Sequence, residues 1–79
     1  MPTDEAVVEA AAQAAEAEIL SAFDRSAIAD IDVRVQFMDG ELIVDVYLDA
    51  DVDTDRERAV AEDAVAAAEA AVDELFGAR

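Results

Sequence analysis

The sequence predicts an α+β fold, a two-layer α-β-β-α arrangement in which an antiparallel β-hairpin carries both helices on one face. Three observations predict it. Large apolar residues recur at every second position on both sides of Asp39-Gly40. Each flank of that region is an alanine-rich stretch whose apolar residues recur every three or four positions. Helix-starting and helix-stopping residues bracket those stretches.

The first helix is expected over residues 4–23. Thr3 is placed to cap it, and Asp4 and Glu5 sit in the first turn, where the helix dipole favours acids. Val8, Ala11, Ala12, Ala15, Ile19 and Ala22 form one apolar stripe, with Glu5, Glu9, Gln13 and Glu16 opposite. Leu20 falls among the acids and Phe23 near the border of the stripe. Residues 24–30 read as a connector with a single turn near Ser26 to Ala29.

The strands are expected over residues 31–38 and 41–49. Ile31, Val33, Val35 and Phe37 alternate with Asp32, Arg34 and Gln36, and Leu42, Val44, Val46 and Leu48 alternate with Ile43, Asp45, Tyr47 and Asp49. A period of two means half-buried strands. Asp39-Gly40 is a preferred dipeptide for a two-residue type I′ turn, whose central residues both need φ above zero. That loop length sets Phe37 opposite Leu42, Val35 opposite Val44, Val33 opposite Val46 and Ile31 opposite Leu48. All eight share one face, and on the other Arg34 lies opposite Asp45, an attractive pair. A one-residue slip would set apolar residues against polar ones.

The second helix is expected over residues 55–76. Thr54 is read as its cap, with Glu57 reaching back as the second half of a capping box. Val60, Ala61, Ala64, Val65, Ala68, Ala71, Val72, Leu75 and Phe76 form a broad apolar arc, and Gly77 suits the C-terminal cap. A hairpin alone is marginal in water, so its apolar face needs the two helices as cover. Their alanine surfaces allow the helices to touch each other as well.

At 79 residues the chain is read as a single domain, residues 1–79. Its hydrophobic fraction of 56% is too high for a disordered acidic tail. Asp and Glu number 21 against five basic residues, all of them Arg, for a net charge of −16. Such a charge opposes compaction in dilute buffer, and the opposition fades in concentrated salt, where the screening length falls to about 3 Å at 1 M. Adaptation to a salt-rich cytoplasm accounts for it. Lowering KCl is therefore expected to destabilise the fold. The N-terminus opens with acids rather than a basic and apolar leader, and no apolar run is long enough to span a membrane, so a cytoplasmic, non-membrane protein is expected.

The function classes narrow by exclusion. Cysteine and histidine are absent, which removes disulfides, thiolate sites and histidine-ligated zinc. Ser21, Ser26, Thr3 and Thr54 have no His or Lys to activate them, and no carboxylate is singled out for a raised pKa. No catalytic, cofactor-binding or metal-binding residue is assigned, and the chain is read as a non-enzyme. The five arginines form no cluster of the kind that holds phosphates, so nucleic acid is not an expected partner. Arg56 and Arg58 flank Glu57 and are expected to pair locally, Arg58 with Glu62 for example. The run Asp49 to Asp55 resembles a calcium loop, yet Thr54 stands where that loop needs glycine and Val60 where it needs glutamate. Loose cation binding there is an alternative reading.

The surface of interest is the polar face of the hairpin. Met38, Ile43 and Tyr47 all point there among Asp32, Arg34, Gln36, Asp45 and Asp49, and Ile43 and Tyr47 are taken as neighbours on the second strand. An apolar cluster with a polar rim suggests association. Both strands are also edges open to another strand. A core this small favours a homodimer, with another protein as a further partner. The leading expectation is thus a cytoplasmic protein-interaction module. An acidic decoy that mimics nucleic acid and occupies a basic protein is the other alternative, and regular charge spacing along one face would favour it.

The entry into the first strand, Ser26-x-Ile28-x-Asp30-Ile31-Asp32-Val33, together with Leu42-x-Val44-Asp45-Val46 and the alanine-rich closing helix, resembles a small archaeal family of unknown function with a helix–hairpin–helix order. The resemblance covers nearly the whole chain. It implies this fold and an archaeal origin, and it carries no active site. The acid excess and the lack of lysine look haloarchaeal.

Overall fold

The computed structural model describes residues 3–77. Its elements run α1 (Asp4–Ala22), a single 3₁₀ turn (Arg25–Ala27), β1 (Ile28–Met38), β2 (Glu41–Ala50) and α2 (Thr54–Leu75). The α-β-β-α order and the α+β class are those the alternation and the flanking helical periods predict. Thr3 caps α1 as expected, its hydroxyl accepting from the Ala6 N–H at 3.1 Å.

The hairpin has the register that a two-residue turn demands. Ile31 faces Leu48, Val33 faces Val46, Val35 faces Val44 and Phe37 faces Leu42. Asp39 has φ 53° and Gly40 φ 78°, so both central residues take the left-handed conformation of a type I′ turn. β1 begins at Ile28, before the expected residue 31. The cause is a bulge: Ile28 pairs with Ala50 while Asp30 pairs with Asp49, which leaves Ala29 over. The extra residue breaks the two-residue alternation, so the sequence signal starts only beyond it.

The deepest burial lies in the seam between the helices. Val7, Ala11, Ala15 and Ile19 of α1 meet Val60, Ala64, Ala68 and Val72 of α2, two rows at four-residue spacing. Val7 rather than Val8 sits in this seam, and Val8 is half-buried. Alanine on both sides brings the two backbones close. The helices also cover the sheet, α1 against β1 and α2 against β2. Of the eight expected inward residues, Leu48 is buried and the other seven are half-buried against the core. Geometry explains this: two strands lie about 5 Å apart, whereas packed helix axes lie 8–10 Å apart, so a two-stranded ribbon is too narrow to seal the helix pair. Leu75 and Phe76, expected in the apolar arc, are exposed at the end of α2, although the Phe76 ring lies 6.0 Å from that of Phe37.

The start of α2 departs from the expected capping box. Asp53 is the N-cap, its carbonyl accepting from the Glu57 N–H at 3.0 Å, and Thr54 is already helical. The Glu57 side chain does not return to Thr54. Its Oε2 accepts from the Ala50 N–H at 2.9 Å and ties the end of β2 to the first turn of α2. At the other end Gly77 adopts φ 72° and donates to the Glu74 carbonyl, so it serves the capping role read for it.

Candidate functional site

The outer face of the hairpin is built by the pleat. Because successive side chains alternate, burying Ile31, Val33, Val35 and Phe37 turns Asp32, Arg34, Gln36 and Met38 outward. On β2 the same rule exposes Glu41, Ile43, Asp45, Tyr47 and Asp49. No element crosses this face among the described residues. Met38, Ile43 and Tyr47 are 62%, 43% and 56% exposed, well beyond what large apolar side chains on a covered surface would be.

The three do not form one cluster. Met38 pairs with Glu41 and Ile43 with Gln36, which makes Met38 and Ile43 diagonal neighbours at the turn end. Ile43 and Tyr47, read as neighbours, are not side by side: Asp45 stands between them on the same face, and four residues of strand span about 13 Å. Tyr47 lies opposite Asp32 and lines a shallow depression with Asp32, Arg34 and Asp45. The face therefore has two apolar footholds separated by charge.

Arg34 does lie opposite Asp45 in the ladder, but its partner is another residue. Its Nε donates to Asp32 Oδ2 at 2.9 Å, two positions back on the same strand. Among the described residues this is the one ion pair. The expected Arg58–Glu62 pair does not form. Arg56 instead reaches across to α1, its guanidinium 5.4 Å from the centre of the Phe23 ring and Nη2 donating to the Ala22 carbonyl at 3.4 Å. α1 has no basic residue in its last turn, so Arg56 supplies from α2 the positive charge that the helix C-terminus favours. Phe23, read as a border residue, is 6% exposed beneath it.

The acidic run after β2 is spread over different elements. Asp49 is outward on β2, Asp51 donates its N–H to the Ala27 carbonyl, Asp53 is the N-cap and Asp55 is in the first turn of α2. Among the described residues no three carboxylates are grouped so as to hold a metal ion. No polar or charged side chain is buried among them either. Ser21 donates to the Glu18 carbonyl, Ser26 lies in the 3₁₀ turn, and Thr3 and Thr54 belong to helix starts. No described helix is long and apolar enough to cross a membrane.

Comparison with known proteins agrees with the resemblance as far as an uncharacterised family with a haloarchaeal relative. An uncharacterised protein of Natronomonas pharaonis is 55% identical over 75 residues, covering 95% of this chain and 89% of that protein. No solved structure matches. Residues 4–75 match a family described as a protein of unknown function, DUF3194, and that description gives neither an architecture nor an activity. With a match over nearly its whole length, the chain belongs to the DUF3194 family.

Proposed function

We propose that this protein is a non-enzymatic interaction module of the salt-rich archaeal cytoplasm, that it is a homodimer, and that the outer sheet face is its working surface. The observation that carries the reading is the exposure of Met38, Ile43 and Tyr47 on a face that no other element covers. Large apolar groups left in water are unfavourable, and a polar rim around them favours association with a partner.

Two other readings receive less support. A nucleic-acid mimic would concentrate its acids along one face, but exposed acids lie on α1, on α2 and on the outer sheet face alike. Cation binding at the Asp49 to Asp55 run would bring its carboxylates together, and they are dispersed.

The test is capture of partners from a native extract at multi-molar KCl, with tagged wild type beside Ile43→Asp. The proposal expects a partner bound by wild type and lost with the variant. Equal capture by both forms, or no capture by either, contradicts the assignment of this face.

A further inference from the structure

We propose that two copies of this chain pair through the open edge of β1, antiparallel and centred on Val33, to make a four-stranded sheet in the order β2-β1-β1-β2. The inference rests on the homodimer reading above and adds its geometry. The sheet has only two strands, so β1 and β2 each have one edge without a neighbour. Along such an edge alternate residues turn N–H and C=O groups outward, ready for another strand.

The charge pattern chooses the edge. The outward side chains of β2 include Glu41, Asp45 and Asp49 and no cation, so pairing β2 with itself offers no attraction. One of its last N–H groups is also already bonded to Glu57. β1 carries Asp30 and Asp32 together with Arg34, a sequence that can complement itself when reversed.

The charge pattern also chooses the register. Keeping the apolar face continuous requires a two-fold axis through a residue rather than between residues. An axis at Val33 sets Arg34 opposite the partner's Asp32, and the two-fold repeats that contact. Asp30 then faces the partner's Gln36, so no like charges oppose. An axis at Asp32 opposes that carboxylate to its own copy. An axis at Arg34 does the same to the guanidinium. At Ile31 the axis opposes Asp32 to Asp30, and at Val35 it leaves Arg34 facing glutamine. Only Val33 opposes unlike charges without also opposing like ones.

On the helix-facing side the same register sets Ile31 beside the partner's Val35. Both residues are half-buried in one chain, for want of a wider sheet. Ile31 stands at the mouth of an open groove that Leu20 and Ile28 also line, and Leu20 is 40% exposed there. Widening the ribbon to four strands covers the side chains that two strands leave in water. The Ala29 bulge ends the regular edge and so limits the ladder to Asp30 through Gln36.

The chain has no cysteine, which permits a direct test. Single variants Asp32→Cys, Val33→Cys and Arg34→Cys are oxidised at multi-molar KCl, after circular dichroism has verified their fold. Only residues whose Cα atoms lie within about 7 Å can be bridged. The proposal expects Val33→Cys to form the covalent dimer several-fold faster than the other two. Preferential bridging at position 32 or 34 overturns the register. Wild type that is monomeric by light scattering overturns the dimer. Arg34→Asp opposes like charges at two symmetric positions and should weaken association about tenfold. Ile43→Asp, on the far strand, should leave the mass unchanged. Loss of the dimer with Ile43→Asp but not with Arg34→Asp overturns edge pairing in favour of face packing. Ile43→Asp that abolishes partner capture and keeps the dimer shows that the two surfaces are separate, so failure of either reading can be told apart.

Discussion

Glu57 and Arg56 are adjacent in sequence and stitch α2 to two different elements. Glu57 holds the Ala50 N–H at the end of β2, and Arg56 covers Phe23 and the last carbonyl turn of α1. Ala50 is buried, so removing its acceptor leaves a donor with poor access to water. Glu57→Ala is expected to cost about 1–2 kcal/mol, read from the urea midpoint, and Glu57→Gln, which retains an acceptor, should recover most of that loss. Equal losses for the two variants would mean that the carboxylate charge, not the hydrogen bond, matters. Neither contact was legible in the sequence. Glu57 fits a capping box by spacing alone, and only the path of the chain between β2 and α2 brings Ala50 within its reach. For Arg56 a faint signal existed, since α1 ends without a basic residue and a cation from elsewhere could serve.

At the scale of elements, the hairpin was the most legible part because three independent constraints agree: a period of two, a turn dipeptide able to take positive φ, and a buried face that penalises a slip. The helices were less legible. Steps of 100° place Val7 and Val8 both near the seam, and alanine marks its edge weakly. The sequence pattern also could not show that the helix pair, and not the sheet, takes the deepest burial. That distribution follows from relative widths, which appear only once the layers are stacked. The seam has no spare room, since Ala11, Ala15, Ala64 and Ala68 are fully buried. Ala64→Leu is expected to destabilise by about 1–3 kcal/mol in chemical denaturation through overpacking. Ala66→Leu, on the exposed side of α2, should stay within about 0.5 kcal/mol of wild type. A stabilising Ala64→Leu would show that the helices are not in close contact. The outer face was legible as a set of residues, but not as two separate footholds, because the shared face is plain from the alternation whereas Ile43 and Tyr47 stand four positions apart with the Arg34–Asp45 row between them.

For the whole molecule, charge and shape act together. The net charge of −16 is distributed over both helices and the outer face of a body 40 Å long and about 20 Å thick. No acid is buried among the described residues, so the repulsion is a surface effect that salt screens. From about 0.1 M to 1 M salt the screening length falls from roughly 10 Å to 3 Å, shorter than most separations between exposed carboxylates. The melting temperature followed by circular dichroism is therefore expected to fall steadily as KCl is lowered from the multi-molar range. A melting temperature indifferent to KCl would contradict an electrostatic origin. Association brings two such charges together and should need salt still more than folding does.

The most direct measurement is the mass of the wild-type protein by light scattering across a series of KCl concentrations. Twice the 8.4 kDa chain mass is expected at multi-molar KCl, with dissociation on dilution of the salt before the helical signal is lost. A mass of one chain at every KCl concentration that sustains the fold would contradict it.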